Sequence, residues 1–436
     1  MKHILLLCCG MLMLAGSVHG SGFGVFTQGA AALGQANAVV AQPLGPSAVY
    51  FNPALLNDVA GTQVEVGLTG IYADRKISLA SGGTENGDSE WNLPSTFYAS
   101  HQINDSLTAG FGAFFPFGLS TSWEDDYAGR YLGTSGDIFT LNLNPVLSWR
   151  ATPRLSLAFG VSALYLDADL QKKINQNAAY GITDLMLGGG VLPEPEAPLA
   201  DIDQKFTGDG WGYGYNLGAY FQAHERVHLG LTYRSHIDVD VKGQARFANV
   251  NPLLAAGFPN TSGASDIRLP AQATAGVAVM VTERLTTEVG LRWEDWSSTK
   301  NLRIDLAQPV FGQTEEIIPR DWRATWSYNV GARYQARPDL ALLAGYLFGE
   351  NAVPGSTFEP LVPDSDAHLF TVGAEWSRGA WLVAGAFGYE YHRSRDKDNS
   401  LGDPLGSLLA GDPVGTANGS YDTDLYLVGL SLGYRF

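Results

Sequence analysis

The sequence predicts an all-β protein: a fourteen-stranded antiparallel transmembrane β-barrel, closed on itself and plugged by its own N-terminal segment. Three observations carry that expectation. The last strand has Tyr426, Val428, Leu430, Leu432, Tyr434 and Phe436 on one side and Gly429, Ser431, Gly433 and Arg435 on the other, and it stops at an aromatic residue. Similar two-faced segments recur along the chain with no linker between them. After residue 20 there is no run of about 18 apolar residues, so any spanning has to be done by strands.

The first element, residues 1–20, reads as a secretory signal peptide. Lys2 precedes the apolar run Ile4 to Ala15, and Val18-His19-Gly20 supplies an imperfect small-residue cleavage site. Both cysteines, Cys8 and Cys9, fall inside it, so the mature chain offers no disulfide, redox thiol or cysteine-bound metal. Residues 21–60 form the second unit. They are rich in Gly and Ala, carry Pro43, Pro46 and Pro53, and lack sustained alternation, so they do not read as spanning strands. A segment this apolar needs burial, and the lumen is the available place.

Residues 61–436 form the barrel. Alternation places strands at 62–73, 92–102, 106–120, 136–150, 154–168, 210–223, 226–242, 267–280, 284–298, 320–336, 339–349, 366–378, 380–393 and 420–436. Fourteen is even, as a single-chain bacterial barrel requires. In 227–241, Val227, Leu229, Leu231, Tyr233, Ile237, Val239 and Val241 share one face, against His228, Arg234, His236, Asp238 and Asp240. Short turns at 152–154, 225–226 and 337–339 alternate with long connections at 169–209, 243–266, 299–319, 350–365 and 394–419, which places the short turns in the periplasm and the long loops outside. Two long loops are unusually apolar: Ile182, Leu185, Met186, Leu187, Val191 and Leu192 in one, Phe247, Val250, Leu253, Leu254 and Phe258 in the other. They either pack on each other as a lid or also form a first landing site for an apolar ligand.

A net charge of -17 leaves no basic track for nucleic acid. Short motifs then add up. Ser21-Gly22-Phe23, Gln28-Gly29-Ala30-Ala31-Ala32-Leu33-Gly34, Phe51-Asn52-Pro53-Ala54, Phe115-Pro116-Phe117-Gly118-Leu119, Leu231-Thr232-Tyr233-Arg234-Ser235, Leu269-Pro270-Ala271, Trp322-Arg323-Ala324-Thr325-Trp326-Ser327 and Pro363-Asp364-Ser365-Asp366-Ala367-His368 occur in order from residue 21 onward. In these the chain resembles the FadL/TodX family of outer-membrane transporters for long-chain fatty acids and other hydrophobic compounds. The resemblance implies a barrel with an N-terminal hatch, ligand capture by outer loops, an internal pocket, and sideways release through a gap at a kinked third strand. It also implies a location in the outer membrane of a Gram-negative bacterium, surrounded by its lipid.

Candidate residues follow. Pro116 lacks the N–H a ladder needs, so the strand is expected to break or bulge at Pro116, Phe117 and Gly118, unless the proline merely ends the strand. Asn52 and Pro53 are expected to fix the hatch to the wall. Arg323, beside Trp322, matches a family position that faces a fatty-acid carboxylate; an internal salt bridge is the alternative. Phe23, Leu185, Leu254 and Phe258 complete the ligand-binding candidates. Asp167 and Asp169, near the outer end of the fifth strand where a fatty-acid transporter has use for a second basic group, would repel a fatty-acid anion and keep an uncharged alkane or aromatic hydrocarbon open as the ligand. No cofactor is called for, and a self-closed barrel is expected to be a monomer. Of the rival classes, an enzyme would need His368 with Asp364 and Asp366, or His224, His228 and His236, to act together without a recognisable catalytic or metal-ligand spacing. A general porin would need an open, hydrophilic lumen; a purely structural or adhesive role requires neither hatch nor interrupted strand, and a role as a surface receptor stays open as an alternative.

Overall fold

A computed structural model describes residues 22–436; the stretch read as a signal peptide lies outside the described residues. The strands are β1 (Thr62–Leu79), β2 (Thr84–Asn86, Trp91–Asn92 and Ser95–Asn104), β3 (Leu107–Phe114 and Gly118–Ser122), β4 (Ser135–Thr152) and β5 (Leu155–Ile174). They continue as β6 (Ile202–His224), β7 (Val227–Arg234 and Ile237–Ala248), β8 (Thr261–Leu269 and Gln272–Met280), β9 (Leu285–Glu294 and Asn301–Val310) and β10 (Gln313–Pro319 and Thr325–Arg337). The last four are β11 (Leu340–Gly349), β12 (Ala367–Arg378), β13 (Trp381–His392 and Arg395–Lys397) and β14 (Gly419–Arg435). Each pairs antiparallel with the next, and β1 closes the ring on β14 from Gln63↔Arg435 to Leu79↔Gly419. Closure leaves no sheet edge, which a bilayer would not tolerate.

On β14, Tyr426, Val428, Leu430 and Leu432 are exposed on the outer surface, whereas Leu425, Leu427 and Ser431 are buried inside. Exposed Trp149, Trp381 and Phe436 lie near the short-turn end, with Trp91, Trp211 and Trp326 further up the wall. Aromatic side chains in such bands suit the lipid headgroup layers.

Several strands run well past the membrane. β6 has 23 residues, about twice the roughly 9–11 that a tilted span needs. In this outer extension the polarity inverts. The 227–241 pattern looks like one continuous face, but an extra residue at 235–236 shifts β7 against β6, from Arg234↔Asn216 to Val239↔Gly212. Leu229 and Leu231 therefore face lipid, whereas Ile237, Val239 and Val241, of the same parity, are buried in the interior. β8 breaks at the same level, at Pro270. Outside the bilayer the wall is wet on its outer side, so apolar side chains turn inward as in a soluble protein.

Connection 299–319, expected as a loop, is instead a hairpin of Asn301–Val310 with Gln313–Pro319 that extends β9 and β10. Ile304 and Leu306 supply its inward face; Arg303 and Asp305 between them masked the alternation. Residues 284–298 and 320–336 are also not unbroken strands, because both chains leave the ladder between Glu294↔Thr325 and Asn301↔Pro319.

Inside the barrel, residues 22–59 form α1 (Ala30–Leu33), α2 (Ala48–Phe51) and a 3-10 turn (Pro53–Asp58), nearly all buried. Outside, α3 (Gln176–Met186) and α4 (Pro404–Ala410) pack together over the mouth. Leu430 sits midway between Tyr426 and Tyr434 on the lipid face. Leu430→Arg is expected to cost roughly 2–4 kcal/mol, read as a lower urea midpoint for folding into lipid vesicles, while Leu430→Val stays close to wild type.

Candidate ligand-binding site

The N-terminal segment is tied to the wall around its circumference. Tyr98 hydroxyl donates to Gln28 O (2.9 Å), and the Ala30 amide donates to Ser431 Oγ (3.1 Å). Asn329 Nδ2 donates to Ala36 O (2.9 Å), and Arg234 Nη2 donates to Tyr50 O (2.8 Å). Glu288, fully buried on β9, accepts from the amides of Val40 (2.6 Å) and Ala41 (3.2 Å). Asn52 donates to Val40 O (2.8 Å) and to Ala219 O of β6 (3.0 Å), and its Oδ1 accepts from the Ala54 amide, capping the turn that Pro53 begins. The wall makes room for this segment: a Cβ on Gly230 would stand 2.0 Å from Val40 O.

β3 is interrupted where Pro116 stands. Against β4 the register passes from Phe114↔Asn142 to Gly118↔Phe139, so residues 115–117 face only 140 and 141, a bulge. Against β2 the ladder ends at Phe97↔Ala113; the next contact is at Asp88, whose amide donates to Ser122 O (2.9 Å). Between these closures, residues 89–96 and 114–121 share no described ladder bond. The N-terminal segment satisfies the freed backbone. Val25 N donates to Pro116 O and Gly118 N to Phe23 O, both at 2.9 Å, and Gln28 Nε2 donates to Phe115 O at 2.6 Å. Thr140 Oγ1 serves both the amide and the carbonyl of Phe117. Gap and N-terminal segment are thus one hydrogen-bonded unit.

Phe23 sits above that stitch, edge-on to Trp296 (4.8 Å between ring centres), Trp322 (5.9 Å) and Phe117 (6.2 Å). Gly22, at φ +58, is required there, because a Cβ would lie 2.9 Å from the Trp322 ring. The breaks in β9 and β10 turn both indoles inward. Trp296 was not singled out from the sequence; its Trp-Ser-Ser context, outside any alternation, was the available sign.

Higher up, a cavity of about 500 Å³ lies under the outer loops. Phe206, Phe247, Phe258, Ile304 and Leu306 give it apolar walls, and Lys172, Lys173, Gln204, Glu315 and Glu316 a polar flank. Lys172 Nζ pairs with Glu316 (2.5 Å). Phe258 stacks on Phe311, and Leu254 is buried beside it against Ala179, Tyr180 and Ile202. The two apolar loops therefore pack on each other. Leu185 does not take part: it is 65% exposed on the outer side of α3, near Met186 and Leu187.

Arg323 also departs from its expected place. Successive residues point opposite ways, so with Trp322 inside, Arg323 is exposed and donates to Asn351 O and Oδ1 (both 3.1 Å), meeting neither a lumen acid nor the aromatic cluster. Asp167 and Asp169 fall outside too, because Leu164, Leu166 and Ala168 take the interior, and Asp169 pairs with Lys205 (2.5 Å). The histidines are dispersed. His368 bonds Tyr346 among wall aromatics, whereas Asp364 accepts from Gly22 N and Ala352 N.

An outer-membrane barrel with an obstructed lumen, an outer amphipathic cavity and an interrupted wall defines a class: channels for hydrophobic small molecules. The chain belongs to the family described as "Outer membrane protein transport protein (OMPP1/FadL/TodX)", whose profile matches residues 11–436. It is 28% identical to the 47 kDa outer membrane protein of Pasteurella multocida over 386 residues, covering 85% of this chain and 87% of that one. It is 24% identical to the long-chain fatty acid transport protein of Salmonella typhi over 408 residues, covering 89% and 88%. The crystal structure of a Pseudomonas aeruginosa FadL homologue superposes with a TM-score of 0.83 at 20% identity, covering 95% of this chain and all of that one. Members of this family are channels rather than enzymes.

Two outcomes follow from the ties of the N-terminal segment. Glu288→Ala leaves the Val40 and Ala41 amides without their acceptor and is expected to cost about 1.5–3 kcal/mol, with a rise in single-channel conductance in planar bilayers. Asp364, in the outer loop, is pushed up to about 6 by burial, against the amides of Ala352 and Gly22. The folded chain therefore holds this proton to a higher pH than the unfolded chain, and stability tied to Asp364 rises as pH falls through about 6 toward the ordinary 3.8. The melting temperature of wild type relative to Asp364→Asn is expected to increase over that interval.

Proposed function

We propose that this channel admits long-chain fatty acids by passive diffusion, as a monomer, with 21–60 serving as its hatch and the ligand leaving sideways into the membrane. The observation that carries this reading is the interruption of β3, where the wall loses its ladder between 89–96 and 114–121 and the N-terminal segment takes over the backbone bonds. An apolar solute released there enters lipid without crossing the aqueous periplasm.

The rest of the path is consistent in chemistry. Exposed Leu185, Met186 and Leu187 offer a first apolar landing surface. The outer cavity, within the roughly 300–1,000 Å³ of small-molecule sites, joins an apolar wall to a polar flank where Lys172 and Lys173 are held in ion pairs with Glu316 and Asp203. An apolar wall beside a polar flank suits an amphipathic molecule such as a fatty acid, and the objection from Asp167 and Asp169 falls away because neither faces the interior. The Phe23, Phe117, Trp296 and Trp322 cluster then lies between cavity and gap. Moving Phe23 would pull on Gly118 N, so ligand entry into the cluster would loosen the gap. Transport of neutral or aromatic hydrocarbons is the second reading, favoured by that all-ring cluster and by the absence of Arg323 from it.

Deleting Pro116 leaves two residues of β3 opposite 140 and 141, which restores an even register. Uptake of radiolabelled oleate by cells relying on this channel is expected to fall to background in the deletion, with the barrel still folded by its heat-dependent gel mobility. Unchanged entry of both oleate and toluene would refute lateral release; loss of toluene but not oleate entry would favour the second reading.

A further inference from the structure

Arg75 is the interior cation whose forked edge is left without an acceptor. It stands on β1 between Ala73 and Ile77, on the face turned into the lumen, and is 4% exposed. Neither Nε nor Nη2 has a hydrogen-bond partner among the described residues. The other buried or partly buried cations are answered. Arg292 pairs with Glu294 (3.0 Å), Arg320 with Glu359 (2.6 Å) and Arg333 with Glu375, while Arg234 and Lys397 donate to backbone carbonyls. An isolated buried guanidinium is strongly unfavourable, and a protein that carries one commonly has a counter-charge supplied from elsewhere.

The edge is covered as well as unpaired, since neither nitrogen has accessible surface and Arg75 lines none of the described cavities. A counter-charge therefore reaches it only when the neighbouring side chains part, and the shape of the edge says what that counter-charge is. Nε–H and Nη2–H are parallel donors matched to the two oxygens of a carboxylate. Arg268 uses this same edge to grip Asp238, with Nε to Oδ1 at 2.5 Å and Nη2 to Oδ2 at 3.1 Å. Its position is equally specific. Gly87, just past the first segment of β2, donates its amide to Arg75 O, and a Cβ placed on Gly87 would lie 3.2 Å from Arg75 Cβ, 3.4 Å from Ser122 O and 3.6 Å from the Trp123 ring. Asp88, the next residue, makes the bond to Ser122 that closes the outer end of the wall gap. Arg75 thus lies at the upper corner of the opening between β2 and β3.

We propose that Arg75 receives the carboxylate of a long-chain monocarboxylic acid at its Nε/Nη2 edge, holding the head at the top of the gap while the hydrocarbon tail enters it. This rests on the channel reading above and adds the head-group chemistry to it. A carboxylate arriving there neutralises the lone charge, and Trp123, stacked on Tyr127 at 5.4 Å, walls the site against water.

The test compares oleic acid with oleyl alcohol, which share a tail and differ in the head, by equilibrium binding to the purified full chain in maltoside micelles. Wild type is expected to prefer the acid. Arg75→Met, which keeps length and removes charge, is expected to weaken acid binding roughly ten- to a hundredfold, leave the alcohol unchanged, and raise the melting temperature because a lone buried charge is gone. Arg75→Lys, a cation without the fork, is expected to fall between. Acid affinity within twofold of wild type in Arg75→Met, or equal loss of both ligands, overturns the assignment while leaving the channel reading in place. If wild type binds neither ligand, the channel reading fails first and the assignment with it.

Discussion

Inside a bilayer each backbone N–H and C=O has to find its partner within the protein, because lipid offers none. The fourteen-strand ladder meets that requirement by closing β1 on β14, and the rest of the molecule is arranged around the one place where the ladder is broken. At 115–117 the groups that β2 no longer reaches are taken up by Phe23, Val25, Gln28 and Thr140. An opening in a membrane wall is therefore stable only while the N-terminal segment stays in place. The same bonds that make the opening possible make it conditional.

The barrel is two physical environments stacked along one axis. In the membrane zone its apolar side chains face out and its interior holds small and polar residues, Ser148, Ser156, Ser162 and Asn144 among them. In the outer zone the apolar side chains face in. The interior therefore runs from an apolar core of Leu164, Leu166, Ile237 and Val239 at the top to a polar, hydrogen-bonded mesh around the N-terminal segment. An apolar solute descending from the mouth meets a favourable environment only as far as the aromatic cluster, and below it Glu288, Arg234, Arg292 and Glu294 make further descent unfavourable. The level where descent stops is the level where the wall is open.

The ring of strands was legible because lipid on one side and lumen on the other impose a strict period of two, as in Leu430 and Ser431. The same rule misled above the membrane. Ile237, Val239 and Val241 continue the parity of Leu229 and Leu231, yet they face the interior, since a bulge at Ser235 and His236 resets the face and leaves no trace in hydrophobicity alone. The hairpin at 301–319 was hidden for a related reason: its outward residues are charged, as on a soluble protein, so it looks like a loop. At the site, Pro116 announced its break through the missing N–H, and Asn52-Pro53 announced a turn. Arg323 was misplaced because a one-residue difference in a chain leaving its strand decides between inside and outside. Trp296 carried only the weak sign of lying outside the alternation and Arg75 none, because their importance lies in partners from distant strands, or in the lack of one.

The central claim, that solutes leave through the wall at β3, is tested most directly by letting a ligand mark its own route. A palmitic acid bearing a diazirine near its methyl end, added to outer-membrane vesicles and photolysed, labels the residues it meets, which peptide mass spectrometry then identifies. The account predicts label in the outer cavity and on both borders of the opening, within 89–96 and 114–121. Label in the cavity and at the periplasmic end, around Asn57 and Ser148, with none on those borders, would contradict it.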